Sequence, residues 1–153
     1  MREKEDTAPM SDDMLTLDNQ LCFAVYAASH AFNKAYKPLL AELGITYPQY
    51  LVMLVLWEKR VASVTEIAGA LGLDTGTLSP LLKRLEKTGY IRRERSKEDE
   101  RQVAIHLTPA GLAKREVASR IVRAIGTATG CDLKALGELR QSMKTLRQNL
   151  EQV

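Results

Sequence analysis

Apolar residues recur at positions 17, 21, 24, 25, 28, 32, 35, 39 and 43, with the three- and four-residue spacing of one helical face. Pro38 is the only breaker in that run. The spacing therefore predicts one long helix over 17–43, kinked or interrupted near Pro38 and ended by Gly44. "ITYPQY" then reads as an extended connector, because a residue before proline is pushed out of the helical region. Pro48 opens a second helix, and "PQYLVMLVLWEKR" is apolar nearly all round, which marks it as buried.

The pattern changes at "SVTEIAGALGLDTGTLSPLLKRLEKTGYIRRE". "TEIAGAL" predicts a short helix, Gly72 a left-handed turn, and Asp74 or Thr75 a side-chain cap for the helix that follows. That helix, about 75–88, turns Leu78, Leu81, Leu82 and Leu85 inward and leaves Thr75, Thr77, Ser79, Lys83, Arg84 and Lys87 outward; Gly89 ends it. The pair is a helix-turn-helix. "YIRRERS" and "QVAIHLT" have strand character and are joined by "KEDER" at hairpin spacing, so a wing follows. Thr108 as N-cap and Pro109 at the first helical position start another long helix. Gly126 and "TGCD" interrupt the pattern before a last helix, about 132–148, with apolar residues at 133, 136, 139, 143, 146 and 150.

The expected fold is mainly α with a small β wing: a winged helix-turn-helix domain plus long N- and C-terminal dimerisation helices. The chain divides into a flexible segment 1–13, an N-terminal dimerisation helix with its connector over 14–47, the winged domain over 48–108 and C-terminal dimerisation helices over 109–153. One small domain cannot cover the apolar stripes of the terminal helices, so a homodimer is expected, and a two-fold dimer suits a palindromic DNA site.

Composition narrows the function. At 153 residues and 45% hydrophobic content the chain can bury a core. Its beginning lacks the apolar stretch of a signal peptide, and no apolar run spans a membrane, which points to the cytoplasm and to no membrane partner. Two cysteines and two histidines offer no zinc spacing, so no metal or other cofactor is expected. Net charge is +3, and residues 83–101, with eight basic and five acidic side chains, account for all of it. On a helix-turn-helix and wing, that local excess points to double-stranded DNA. Thr75, Thr77, Ser79, Lys83 and Arg84 would meet phosphates and base edges in the major groove. At the wing, Arg101 would enter the minor groove, with Asp99 holding it by a bidentate ion pair, and Arg95 is a further DNA-binding candidate. Trp57 and the methionines read as core, and His30 and His106 as ordinary helix and strand residues.

The stretch "VTEIAGALGLDTGTLSPLLKRLEKTGYIRRERSKEDERQVAIHLTPAG", above all "LSPLLKRLEKTGYI" and the R-x-x-x-D-E-R of the wing, resembles the winged-helix core of the MarR family of bacterial repressors, over roughly residues 17–150. The resemblance implies a homodimeric transcriptional regulator, not an enzyme, that grips an operator. "LDNQLCFAVYAASHAFNKAYKPLL" with "ITYPQY" is similar to the branch that senses organic hydroperoxides, the OhrR-type repressors. That likeness implies Cys22 as redox sensor, with Tyr26, Tyr36 and Tyr47 stabilising its thiolate. A second cysteine near the last helix, Cys131, implies the two-cysteine subclass, in which an intersubunit disulfide forms.

The chemistry agrees with the pattern. A thiol attacks peroxide as its thiolate, whose free pKa is about 8.5, so a sensor needs hydroxyl donors that stabilise the anion. Tyr26 lies one turn from Cys22 on the same helical face. Tyr36 is fourteen residues on, about 21 Å along an ideal helix, out of reach of its own Cys22 but not of an antiparallel partner's. Tyr47 fits the same shared arrangement. Leu21, Phe23 and Val25 around the thiol favour an organic hydroperoxide as signal. Two rivals are a MarR-type repressor released by a small phenolic ligand without thiol chemistry, and a thiol peroxidase. The peroxidase would leave the basic winged helix without purpose, and the chain has no C-x-x-C.

Overall fold

A computed structural model describes residues 12–153. The segment 1–13 read as flexible lies outside them, apart from the backbone of its last two residues. The chain divides into two compact units, one running to Ala35 and the other spanning Tyr36–Val153.

The first unit begins with two short 3-10 turns, Asp12–Leu15 and Leu17–Asn19. Gln20 is extended at φ −90° and ψ 112°, and its carbonyl accepts the Ala24 N–H at 3.2 Å, so it acts as the cap of α1 (Leu21–Leu40). The helix therefore starts four residues later than the apolar spacing predicts. The spacing continues through the 3-10 turns, which share the helical period closely enough to hide the break. Pro38 lies inside α1, in its last turn, and Gly44 at φ 67° reverses the chain after it.

The connector is shorter than expected. Helix α2 (Tyr47–Lys59) already includes Tyr47, because Gln49 Oε1 accepts the Thr46 N–H at 2.8 Å and closes the first turn. Pro48 is tolerated there, since an N–H at that position has no intrahelical acceptor. This bond also explains the burial of Gln49 among Tyr50, Val52, Met53, Leu56 and Trp57. Trp57 donates its indole N–H to the Gly111 carbonyl at 2.9 Å.

Arg60 closes α2 at φ 68° and turns the chain into β1 (Val61–Ser63), a strand too short to show in the sequence pattern. α3 (Val64–Leu71) follows, with Ser63 and Glu66 capping each other's backbone N–H groups, then the left-handed Gly72 and α4 (Thr75–Lys87). β2 (Ile91–Arg95) and β3 (Val103–Leu107) form the wing, and β3 lies between β1 and β2 in an antiparallel three-stranded sheet. α5 (Pro109–Ala113), capped by Thr108, is separated at Lys114 from α6 (Arg115–Ala128). The single helix expected here breaks at Lys114, whose N–H turns to the Gly111 carbonyl at 3.2 Å, three residues back, beside the close approach of Gly111 to the wing. α6 runs through Gly126; Gly130 at φ 70° and the Asp132 cap are what separate it from α7 (Leu133–Leu150). The core joins α2, α3, α4, the sheet and α6, and includes Leu56, Ile67, Leu78, Leu85 and Ile105, each 0% exposed. No helix among the described residues is long and apolar enough to cross a membrane.

Candidate nucleic-acid interface and thiol site

Helix α4 has two chemically distinct faces. Leu78, Leu82 and Leu85 are at most 1% exposed, and burying each stabilises the domain by about 1.5–3 kcal/mol; Leu81 is half-buried beside them. Thr75, Thr77, Ser79, Lys83, Arg84 and Lys87 are exposed on the other side. Of the two cap candidates the structure uses Asp74, whose carboxylate accepts the Thr77 N–H at 2.7 Å and the Thr77 hydroxyl at 3.0 Å. Those bonds, the main-chain one first, hold the Asp74 carboxyl below the usual carboxylate range. Thr77 thus spends its hydroxyl proton within the cap, whereas Thr75 and Ser79, one turn apart, present theirs outward.

Thr75 and Ser79 line a groove with Arg93, Arg95, Arg101 and Gln102 of the wing. The fold thus brings together, on one surface, hydroxyls of α4 and arginines that follow well after them in the chain. The wing loop is held by its own polar groups. Ser96 donates its main-chain N–H to the Gln102 carbonyl at 2.8 Å, and its Oγ accepts the N–H groups of Glu98 and Asp99. Asp99 does not clamp the Arg101 guanidinium as the sequence spacing predicts: its carboxylate accepts the Arg101 main-chain N–H at 3.0 Å. The tight turn points that carboxylate at the backbone two residues on and leaves the guanidinium free of it.

Not all wing cations are available. Arg92 pairs with Glu94 at 2.8 Å and Arg93 with Glu86 at 2.5 Å, and Glu94 also lies 3.3 Å from His106. The Arg92 contact is the main reason that the Glu94 carboxyl sits below the usual range. Among the described residues, Lys83, Arg84, Arg95 and Arg101 form no ion pair, so they carry unneutralised charge on this surface.

Cys22 is an exposed free thiol in the first turn of α1, its Sγ 4.0 Å from Gln20 Oε1. Tyr26 directs its ring to Phe23 and His30, with centroids 6.4 and 4.3 Å away. Tyr36 and Tyr47 are brought together, their rings 4.8 Å apart. Burial pushes both phenols above their ordinary range. Cys131 is a half-buried free thiol between α6 and α7; its Sγ lies 3.7 Å from the Thr129 carbonyl, and its N–H donates to the Thr129 hydroxyl at 3.2 Å. No cluster of three or more potential metal ligands occurs among the described residues.

A family model described as "Transcriptional regulator SarA/Rot" matches residues 34–117, more than half of the chain. The HTH-type transcriptional regulator TtmR of Methylorubrum extorquens is 50% identical over 139 residues, which cover 91% of this chain and 71% of that one. The chain belongs to the SarA/Rot/MarR-type winged-helix transcriptional regulators. Another of these regulators, the organic hydroperoxide resistance transcriptional regulator of Bacillus subtilis, is 46% identical over 143 residues, covering 92% of this chain and 95% of its own. AbfR of Staphylococcus epidermidis, in a reduced form bound to DNA, superposes with a TM-score of 0.80 at 37% identity, covering 94% of this chain and 98% of its own; a disulfide-formed AbfR superposes at 0.63, at 40% identity and 88% and 94% coverage.

Two features of this winged-helix regulator escape a reading of the sequence. One is Tyr50, the third member of the tyrosine group, 5.4 Å from Tyr36 and 6.2 Å from Tyr47 by ring centroid. Its spacing of three from Tyr47 is the available signal, hidden because "ITYPQY" reads as extended rather than helical. The other is the pairing of Arg93 in β2 with Glu86 of α4, which no local pattern displays.

Proposed function

We propose that the chain is a redox-sensing repressor, which binds a palindromic operator as a reduced homodimer and releases it when an organic hydroperoxide oxidises Cys22. The observation that carries this reading is an exposed free thiol at Cys22, in a chain 46% identical along nearly its whole length to a regulator named for organic hydroperoxide resistance. Operator contact falls to Thr75, Ser79, Lys83 and Arg84 of α4 with Arg95 and Arg101 of the wing; Thr77 and Asp99 shape the surface through their caps. Two such surfaces, one helical turn of DNA apart, would read the two half-sites.

The chemistry has two steps. The Cys22 thiolate attacks the outer oxygen of ROOH; an S–O bond forms, the O–O bond breaks, and the alkoxide leaves to take up a proton as ROH. Sulfur is oxidised to sulfenic acid and the hydroperoxide reduced to the alcohol. The thiolate of Cys131 on a second copy then attacks the sulfenic sulfur, an S–S bond forms, and hydroxide leaves to take up a proton as water. That AbfR exists both in a reduced, DNA-bound form and in a disulfide form supports such a cycle in this family. Tyr36 and Tyr47 of the second copy, with Tyr26 of the same chain, would donate hydroxyl hydrogen bonds to the Cys22 thiolate, and the disulfide would break those bonds and re-space the two α4 helices.

The test is operator binding by purified protein titrated with cumene hydroperoxide, with non-reducing gels alongside. Wild type should release DNA, Cys22→Ser should stay bound, and Cys131→Ser should lose the disulfide-linked dimer band. Release of Cys22→Ser at the wild-type dose would overturn thiol sensing and favour a phenolic ligand.

A further inference from the structure

The junction between α4 and β2 is tied to three places in the fold through one residue. Tyr90 follows Gly89, which at φ 81° turns the chain sharply after α4. Its main-chain N–H donates to the Thr88 hydroxyl at 3.3 Å, at the end of α4, and its carbonyl accepts the Thr108 N–H at 3.0 Å, at the start of α5. Its phenol donates to the Leu43 main-chain carbonyl at 2.7 Å, 47 residues back in the chain. The N–H, the carbonyl and the single phenolic hydrogen of Tyr90 are thus all committed.

Leu43 lies in the turn between α1 and α2, is 3% exposed and precedes Gly44, whose φ of 67° ends the helical course of the chain. In that turn the Leu40 carbonyl accepts the N–H groups of Leu43 and Ile45, and the Ala41 carbonyl that of Gly44. Carbonyls past a helix end need partners from elsewhere, and for Leu43 that partner is the Tyr90 phenol. A phenylalanine would fill the same space, so the hydroxyl serves this bond rather than packing. Tyr36 and Tyr47, the proposed donors to the thiolate, stand on either side of Leu43 in the chain. At the other end of the bond, α4 carries Thr75, Ser79, Lys83 and Arg84, and β2 ends on Arg95.

We propose that Tyr90 is a positioning residue for operator binding: its phenol, anchored on the Leu43 carbonyl between the two sensor tyrosines, holds the junction of α4 and β2 in the arrangement that grips DNA. The inference rests on the reading of Cys22 as the sensor and adds the link from the thiol site to the DNA-reading surface. A contact couples two sites only if it differs between their two states. With both cysteines free the bond is made. When oxidation displaces Tyr36 and Tyr47, the turn between them moves, the Leu43 carbonyl leaves the phenol and the junction is released. The hydroxyl therefore contributes to operator affinity in the reduced form alone.

The experiment compares full-length wild type with Tyr90→Phe on a fluorescent duplex carrying the palindrome that reduced wild type selects from random DNA. Anisotropy gives the affinity of each protein before and after treatment with cumene hydroperoxide. Reduced Tyr90→Phe should bind about three- to tenfold more weakly than reduced wild type, the size of one hydrogen bond's net contribution, while the oxidised proteins bind alike. The ratio of reduced to oxidised affinity shrinks by that same factor. A Tyr90→Phe protein that melts earlier, or weakens in both forms equally, and so keeps the wild-type ratio would overturn the proposal and leave the phenol a stabilising contact. If wild type itself binds equally well before and after oxidation, the sensor reading falls and takes the proposal with it. Should Tyr90→Phe not fold, NMR of ring-labelled wild type decides: the hydroxyl-bearing carbon of Tyr90 should shift on oxidation as the bond is lost, and an unchanged resonance overturns the proposal.

Discussion

A methyl group at Gly111 would lie 2.2 Å from the Tyr90 carbonyl oxygen and 2.8 Å from Leu107 Cδ1, closer than real Cβ atoms approach their neighbours. The first neighbour is backbone and cannot swing aside. Gly111→Ala should therefore lower stability by at least about 2 kcal/mol, read as a lowered melting temperature of reduced protein. Asp74 makes a different demand. Its folded carboxyl sits below the ordinary value of 3.8, so it contributes stability that is present above that pH and is lost as pH falls through the folded value. Asp74→Asn keeps an acceptor for the Thr77 N–H but cannot titrate. The stability gap between wild type and Asp74→Asn, measured by denaturant unfolding, should be constant from about pH 5 to 7 and shrink below about pH 4; a gap independent of pH would show that the carboxylate charge is irrelevant to the cap.

Elements matter through what they leave unpaired. The wing holds several arginines, but Arg92 and Arg93 are already neutralised by Glu94 and Glu86. Arg95 and Arg101 border the same groove as Thr75 and Ser79. Replacing Arg95 or Arg101 with Ala should weaken operator binding and lower the slope of log K against log salt by about 1 for each phosphate that is no longer neutralised. Arg92→Ala should leave that slope unchanged. Fluorescence anisotropy across a salt series distinguishes the two, and equal slopes for all three variants would refute the selective use of the wing.

At the scale of the whole molecule, the proposed working unit is a homodimer. No residue of α7 is buried, and Leu133, Leu139 and Met143 are 89%, 52% and 38% exposed. In the first unit Leu17, Leu21 and Val25 are exposed as well. In the proposed homodimer a second copy would cover these exposed apolar residues. The double substitution Leu139→Asp, Met143→Asp should convert the protein to monomer in sedimentation equilibrium and weaken operator binding about tenfold or more, because the two half-sites would no longer be held together. A dimer that survives both changes would place the interface elsewhere.

The amino-acid sequence determined by itself nearly every helix, the helix-turn-helix and the wing hairpin. Those signals act over a few residues: a glycine at positive φ, a serine or aspartate at an N-cap, an apolar stripe at a period of about 3.6. It also marked Cys22, Tyr26, Tyr36, Tyr47 and the basic stretch, because reactive and charged side chains can be counted. Tertiary contacts decided the rest. They made a strand of Val61–Ser63 by pairing it with β3 and set Gly111 against Tyr90 beside the break at Lys114. They also paired Arg93 with Glu86 and brought Tyr50 against Tyr36 and Tyr47. Each of these outcomes depends on which group lies opposite once the chain has folded, and no window of neighbouring residues contains that partner's orientation.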